Sequence, residues 1–304
     1  MIMPKSSDLL QAGYSPRYRI RWRHADVTDS ARALAQAHLC GPSAALVLAE
    51  ALGGVALLAG ELTQRGETVA LRMRVDGPVQ GVLVEADREG ALRGYPQIKI
   101  LNDFDGGETI QSEPVLGGEG QVGIIRSLPG TIISQAAFAC SPPSVRQALD
   151  RYYAVSLQRM AFCLIQAFAY EGGVDLARGF LVDCLPDGDP AEFQRLRAAA
   201  ADGLLAEALE HADGARGVGE ELGLTDAVWE PPRPLRFACR CSRERAWSVL
   251  AALSPAERRE MAAAGTPADI NCHMCGRHYT FGRDALAEVH GDDGAPPAEG
   301  ADHA

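Results

Sequence analysis

The pattern of apolar and polar positions divides the chain into stretches of different character. The most apolar run, Leu46 to Leu58, contains one charged residue, Glu50, and a Gly53-Gly54 pair. It is shorter than the ~20 residues that cross a bilayer. It therefore predicts a buried core helix that starts after Pro42-Ser43 and runs to about Thr63. Val27-Thr28-Asp29 leads into an earlier helix, from Ser30 to about Cys40. Glu67 to Val75 alternates between apolar and polar positions, as a half-buried strand does. Asp76-Gly77-Pro78 then turns, Gly81 to Ala86 is extended, and Arg88-Glu89-Gly90 turns again. The glycines of Leu116-Gly117-Gly118-Glu119-Gly120 precede a strand over Gln121 to Arg126. They lack the Gly-Lys-Ser/Thr ending of a phosphate loop and read as turn residues. Ser144 is placed to cap a helix over residues 145–153. Phe162 to Tyr170 and Ala177 to Leu185 are predicted strands on either side of Glu171-Gly172-Gly173. Strands and helices mixed in this order predict an α+β core of mixed sheets and helices over residues 1–187, not a doubly wound sheet.

The character changes at Pro186-Asp187-Gly188-Asp189-Pro190. Residues 191–212 are rich in Ala, Leu, Glu and Arg and predict helix, broken near Gly203, with Phe193, Leu196, Leu204, Leu205 and Leu209 as its apolar positions. Gly214 to Gly223 is Gly-rich and expected to be mobile, and Pro231-Pro232-Arg233-Pro234 is a stiff spacer. Residues 188–234 therefore read as a metastable helical and Gly/Pro-rich linker. Beyond it, Ser254-Pro255-Ala256-Glu257 combines a Ser N-cap, Pro at the first helical position and Glu at the third. Residues 235–290 form a small cysteine-bearing domain, and 291–304, rich in Asp, Gly, Ala and Pro, read as a disordered tail.

Composition narrows the function. The chain has 304 residues, 47% of them hydrophobic, a formal net charge of −11 and a pI near 5.1. Such an acidic balance argues against nucleic acid bound through the whole surface, which needs a basic face. The start, Met1-Ile2-Met3-Pro4-Lys5-Ser6-Ser7-Asp8, lacks the apolar segment of a secretory leader, which makes a cytoplasmic protein without a membrane partner the expectation. Of eight cysteines, Cys40, Cys140, Cys163 and Cys184 are scattered in apolar settings and read as packed thiols.

The other four carry the chemistry. Cys239-x-Cys241 and Cys272-x-x-Cys275 are two close pairs with 30 residues between them. Two such pairs suit a tetrahedral metal, since each grips two vertices from one turn. Soft sulfur donors select zinc or an iron–sulfur cluster. Gly276 allows a tight knuckle after the second pair. Arg236, Arg240, Arg243 and Arg245 flank the first pair and are expected to favour thiolate. His273 and His278 are secondary ligand candidates, and Tyr279 and Phe281 are candidates for the core of the domain. On spacing alone a permanent structural zinc ribbon docking to protein or nucleic acid is open. So is a thiol oxidoreductase built on Cys272-His273-Met274-Cys275, although the surroundings lack a thioredoxin-like βαβ pattern. The sequence has no Ser/His/Asp set or carboxylate pair with convincing spacing, so no enzymatic turnover is expected.

The wording of the cysteine domain goes further than zinc spacing. Cys239-x-Cys241-Ser242-Arg243-Glu244-Arg245 and Cys272-His273-Met274-Cys275-Gly276-x-His278-Tyr279-x-Phe281 resemble the C-terminal switch of the heat shock protein 33 family, redox-regulated bacterial holdase chaperones. Met1-Ile2-Met3-Pro4, Val75-Asp76-Gly77-Pro78 and Leu92-Arg93-Gly94-Tyr95 are also similar to that family, as is the order of core, linker and cysteine domain. Ser156-Leu157-Gln158, Gln135 to Cys140 and the Gly-rich 214–223 stretch depart from it. The resemblance implies one Zn²⁺ on Cys239, Cys241, Cys272 and Cys275 in the reduced, inactive state. It implies oxidation with release of zinc, unfolding of the linker and capture of unfolding client proteins without ATP, with a homodimer in the oxidised state. The disulfides then expected are Cys239–Cys241 and Cys272–Cys275, because neighbours in sequence meet fastest. Leu204, Leu205 and Leu209 would dock the linker on the core in one state and contact clients in the other.

Overall fold

The computed structural model describes residues 7–107, 109–265 and 267–283. The chain divides into two compact units, Met1–Ala238 and Cys239–Ala304. The expected tail, 291–304, lies outside the described residues.

The first unit opens with a hairpin of β1 (Leu9–Ser15) and β2 (Ile20–Asp26), followed by α1 (Thr28–Ala37) and α2 (Pro42–Leu58). A meander of β3 (Thr68–Val75), β4 (Gly81–Asp87) and β5 (Ala91–Pro96) comes next. Two single-turn helices, α3 (Asn102–Asp105) and α4 (Glu113–Leu116), lead to the hairpin β6 (Gly120–Leu128) and β7 (Thr131–Cys140). Helix α5 (Val145–Arg151), capped by the Ser144 hydroxyl, runs into a π turn at Tyr152–Ser156. The hairpin β8 (Ala161–Tyr170) and β9 (Gly173–Cys184) precedes three helices, α6 (Pro190–Ala201), α7 (Leu204–His211) and α8 (Gly214–Glu221). Three two-residue strands close the unit: β10 (Val228–Trp229), β11 (Arg233–Pro234) and β12 (Arg236–Phe237). One sheet has the order β10-β1-β2-β9-β8, with β11 also on β1, and the other β12-β5-β4-β3-β6-β7. Every pairing in both is antiparallel except β12 with β5.

Helix α2 is apolar on all sides because it packs against β2, β8 and β9 of one sheet and β3, β4 and β5 of the other. Its glycines let it approach: a Cβ at Gly54 would stand 2.5 Å from Val145 Cγ1. Glu50, its one charged position, accepts a hydrogen bond from Ser112 Oγ at 2.9 Å, and burial pushes its carboxyl up to about 7. At the end of α2 a polar knot ties the chain to the first sheet. Glu61 receives Arg23 Nη2 at 2.5 Å, Arg159 Nη2 at 2.9 Å and the Tyr153 hydroxyl at 3.1 Å, while Asp183 takes Arg21 at 2.8 Å and also Arg159.

The opposite face of the first sheet carries Ile20, Trp22, Phe162, Phe180, Val182 and Cys184. It is covered by α6, α7 and α8 through Phe193, Leu196, Leu205, Ala208, Leu209 and Val218, with Leu222 and Leu224 beyond. Leu205 and Leu209 are fully buried, and Leu204 faces outward. The 214–223 stretch, expected from its glycines to be mobile, is the helix α8. Ala215, Val218 and Leu222 make an apolar stripe at helical spacing, and a Cβ at Gly219 would meet Trp229 Cζ2 at 2.8 Å. That glycine admits the indole, which then packs edge-on to Trp22 with ring centroids 5.7 Å apart.

Candidate metal centre

The second unit contains α9 (Arg243–Ala251), α10 (Pro255–Ala264) and the hairpin β13 (Ala268–Asn271) and β14 (His278–Phe281). Ser242 ends the first cysteine pair and starts α9, its hydroxyl accepting from the Arg245 N–H. The capping box on Ser254 and Glu257 is present and starts α10, and Gly265 stops it at φ +70°. The second pair sits at the tip of the hairpin. Cys272 N–H donates to Arg277 O at 2.9 Å and Gly276 N–H to Cys272 O at 2.8 Å. Gly276 takes φ +72°, a conformation that a Cβ disfavours, and this brings the Cys275 sulfur back toward Cys272.

Tyr279 and Phe281 are buried, and the core they were expected to form has a further member, Trp247. Its ring lies 5.4 Å from that of Phe281, with Ala246, Leu250, Ala262 and Ala268 around them. On this support the four sulfurs converge: Cys239, Cys241, Cys272 and Cys275 have their Sγ atoms within 4.8 Å of one another. Cys239 Sγ is 3.8 Å from Cys272 Sγ, and Cys241 Sγ is 3.4 Å from Cys275 Sγ. Tetrahedral zinc with bonds near 2.3 Å would set its sulfurs about 3.8 Å apart, so this donor set fits the ion. His278 instead turns to Asp269, with Nε2 3.2 Å from Oδ1. Among the described residues the ligand cluster is made of cysteines alone.

The electrostatics differ from expectation in one respect. Arg243 lies over the Phe281 ring at 4.5 Å, Arg245 donates to Arg240 O at 2.6 Å and Arg236 donates to Glu89 O at 3.3 Å. The helix starting at Ser242 directs Arg243 and Arg245 to these partners. Among the described residues Arg277 is a cation that acts on the sulfurs. Its pKa is raised first by hydrogen bonding to Tyr279 and then by Tyr279, Cys241 and Cys275 as charges. Tyr279 also donates its hydroxyl to Cys241 Sγ at 3.1 Å. From sequence Tyr279 reads as a packing residue, and Arg277 carries no motif of its own. Their place on a strand directly after the second pair was the available signal. Desolvation first, and then the neighbouring thiols, push Cys275 well above the usual thiol range. Cys272 is raised as well, by burial. Such a group of sulfurs deprotonates together only with a cation among them.

The scattered thiols are of another kind. Cys140, Cys163 and Cys184 are buried, and burial pushes Cys40 up to about 12 and Cys163 well above its ordinary value. Among the described residues none of the four joins a group of ligand atoms that could hold a metal.

An α+β body followed by a four-cysteine unit defines a class: proteins with a main core and a terminal module whose cysteines fit a metal. The family described as "Hsp33 protein" has a sequence model that matches residues 8–282. The 33 kDa chaperonin of Thermus thermophilus is 31% identical over 284 residues, covering 87% of this chain and 82% of the relative. That of Symbiobacterium thermophilum is 30% identical over 275 residues, covering 86% and 89%. The crystal structure of the 33 kDa chaperonin from Thermotoga maritima superposes with a TM-score of 0.80 at 19% identity, over 93% of this chain and 97% of that one. The chain belongs to the Hsp33 family and is a chaperone of that family.

Proposed function

We propose that the chain is a redox-regulated holdase that works without ATP. Reduced and zinc-bound, it is inactive. Oxidised, it carries Cys239–Cys241 and Cys272–Cys275 disulfides, loses its metal, releases residues 188–234 and binds unfolding proteins in the cytoplasm. The observation that carries this reading is the convergence of four sulfurs to within 4.8 Å in a module whose own apolar core is small. Bound Zn²⁺ would cross-link both cysteine pairs and supply about 10–16 kcal/mol of folding free energy. So few buried residues cannot hold the module without that link. Each disulfide takes two electrons and two protons from a pair of thiols, and a peroxide that accepts them becomes two waters. The four anionic donors are then gone. Cysteines one and two residues apart re-meet fastest in an opened chain. In the closed module sulfurs of different pairs also lie close, at 3.8 and 3.4 Å, so the pairing found reports whether opening comes first.

The linker supplies the second half of the reading. Helices α6 to α8 cover an apolar sheet face, and their release would present both surfaces to a client. Zinc content, light scattering of a heat-labile client and protease sensitivity of residues 188–234 are to be measured in reduced and peroxide-treated samples. Near-stoichiometric zinc, protection and little activity are expected in the first, and the reverse in the second. Equal activity and equal protection in both states would leave a permanent structural zinc module as the better account.

A further inference from the structure

Under α7 and α8 lies an ionisable ring that the redox reading leaves unused. His24 stands on β2 on the same face as Trp22 and Asp26, opposite Phe180 of β9 and Gln11 of β1. It is 1% exposed, and neither ring nitrogen has a hydrogen-bond partner among the described residues. Next to it, Arg178 fastens the linker to the sheet. Its guanidinium binds Asp26 at 2.8 Å and donates to Leu209 O at 2.9 Å and Ala212 O at 3.5 Å, the last carbonyls of α7 and the residue after it.

We propose that His24 is a proton-operated release for the linker: a proton taken up by its ring weakens the docking of α7 and α8 on the first sheet, without oxidation of the cysteines. The proposal rests on the reading of residues 188–234 as a releasable cover.

On β2 the charged neighbour of the ring is Asp26, on β9 it is Arg178, and from β1 comes the neutral Gln11, whose amide donates to Glu230 O. Helix α8 packs on β2 through Ala215, Val218 and Gly219, and α7 turns Leu205, Ala208 and Leu209 inward. The charged residues of these helices, Glu207, Glu210, His211, Arg216, Glu220 and Glu221, are all exposed. Burial lowers the ring to about 4; Asp26 opposes this and Arg178 adds to it. Once the cover lifts, the ring returns to the ordinary value near 6.5. The sign follows from the released state binding more protons. Docking is at full strength above about pH 6.5 and is lost as the pH falls toward 4. Between pH 7.5 and pH 5 the two values give an about 30-fold shift toward release. The charged ring would also stand beside the guanidinium that holds the α7 carbonyls.

The test uses the full-length, reduced, zinc-loaded protein. Hydrogen exchange of α7 and α8 amides, corrected for intrinsic rates, is followed at pH 7.5 and pH 5 with zinc content measured on the same samples. The wild type is expected to open about 30-fold more at pH 5. His24→Leu, which gives up no hydrogen bond, is expected to be flat, and His24→Gln provides a second non-titrating variant. All three share the cysteines, so acid loss of metal cancels in the comparison. NMR of the His24 ring in the wild type needs no variant and should show titration below pH 5. Equal pH dependence in wild type and both variants, a flat wild type, or a ring that titrates near 6.5 while docked would each overturn the proposal. Acid release that brings no suppression of aggregation would support the latch and sink the cover reading, so the two failures are distinct.

Discussion

Leu209→Ala separates the linker from the rest of the core. The side chain is fully buried against the sheet face made by Phe180 and Val182, and its carbonyl receives Arg178 at 2.9 Å. Truncating a leucine at such a site costs about 2–5 kcal/mol, from lost transfer energy and the cavity left behind. The backbone hydrogen bond survives the change, so the whole loss falls on the apolar contact. If α6 to α8 form a cooperative unit of their own, the docking equilibrium shifts by about 30-fold to several thousand-fold. The protection of α2, β3 and β6 stays as it was. Native-state hydrogen exchange on the reduced protein reads both quantities in one experiment. Light scattering of a heat-labile client reads the consequence, which is suppression of aggregation without peroxide. Leu204→Ala, on the outward side of α7, is the control and should lie within about 0.5 kcal/mol of wild type. Equal loss of protection across linker and core would refute the idea of a separable cover. A released linker with no chaperone activity would refute its role as one.

Four further outcomes are expected. Cys272→Ser should abolish tight zinc binding while Cys163→Ser keeps it, with metal analysis as the readout; equal retention would rule out the ligand set. Peptide mapping after peroxide should find Cys239–Cys241 and Cys272–Cys275, and dominant crosslinks between the pairs or to Cys40 would contradict the order of events. Tyr279→Phe removes the hydroxyl that donates to Cys241 at 3.1 Å; zinc should remain bound, and its release by peroxide, followed with a metallochromic dye, should quicken. Burial alone would raise Glu61, but Arg23, Arg159 and Arg21 outweigh it and hold the carboxyl far below its ordinary value. Its contribution is therefore present above about pH 4.5 and lost as the pH falls below that. Glu61→Gln, which leaves three arginines short of a partner, should cost about 3–5 kcal/mol in urea unfolding at pH 7 and flatten the acid limb.

What could be read from the chain was local or strongly periodic. The core helix over Leu46–Leu58, the Ser144 cap, the Ser254 and Glu257 box and the two cysteine pairs each sit in a few consecutive residues whose physics is self-contained. The helix α8 was hidden because glycine propensity counts against it residue by residue. The stripe of Ala215, Val218 and Leu222 acquires value only when a sheet face is there to receive it. The strands β10, β11 and β12 lie in a Pro-rich segment and exist only as pairings with β1 and β5, which no local pattern announces. The contribution of Arg277 and Tyr279 to the sulfur site is of the same kind, since it depends on the hairpin folding back over the knuckle. The polar knot on Glu61 joins residues from five segments and has no sequence signature at all.

The helices α6 to α8 are fixed at both of their ends, and this has a kinetic consequence. Asp189 N–H donates to Tyr18 O at 2.8 Å before α6, and Leu235 N–H donates to Asp8 O at 2.9 Å after β11. On the proposed reading, a segment held this way would leave its sheet as a closed loop and not as a free arm. Its effective concentration at the vacated face stays in about the millimolar range, and lengthening such a loop changes the cost of closing it only slowly. A client bound at that face would compete with this tethered occupant at every moment of its stay. Weak or already folded chains would lose that competition. An unfolded chain would hold its place through many simultaneous contacts, and as it gave them up by folding, the loop would be positioned to displace it.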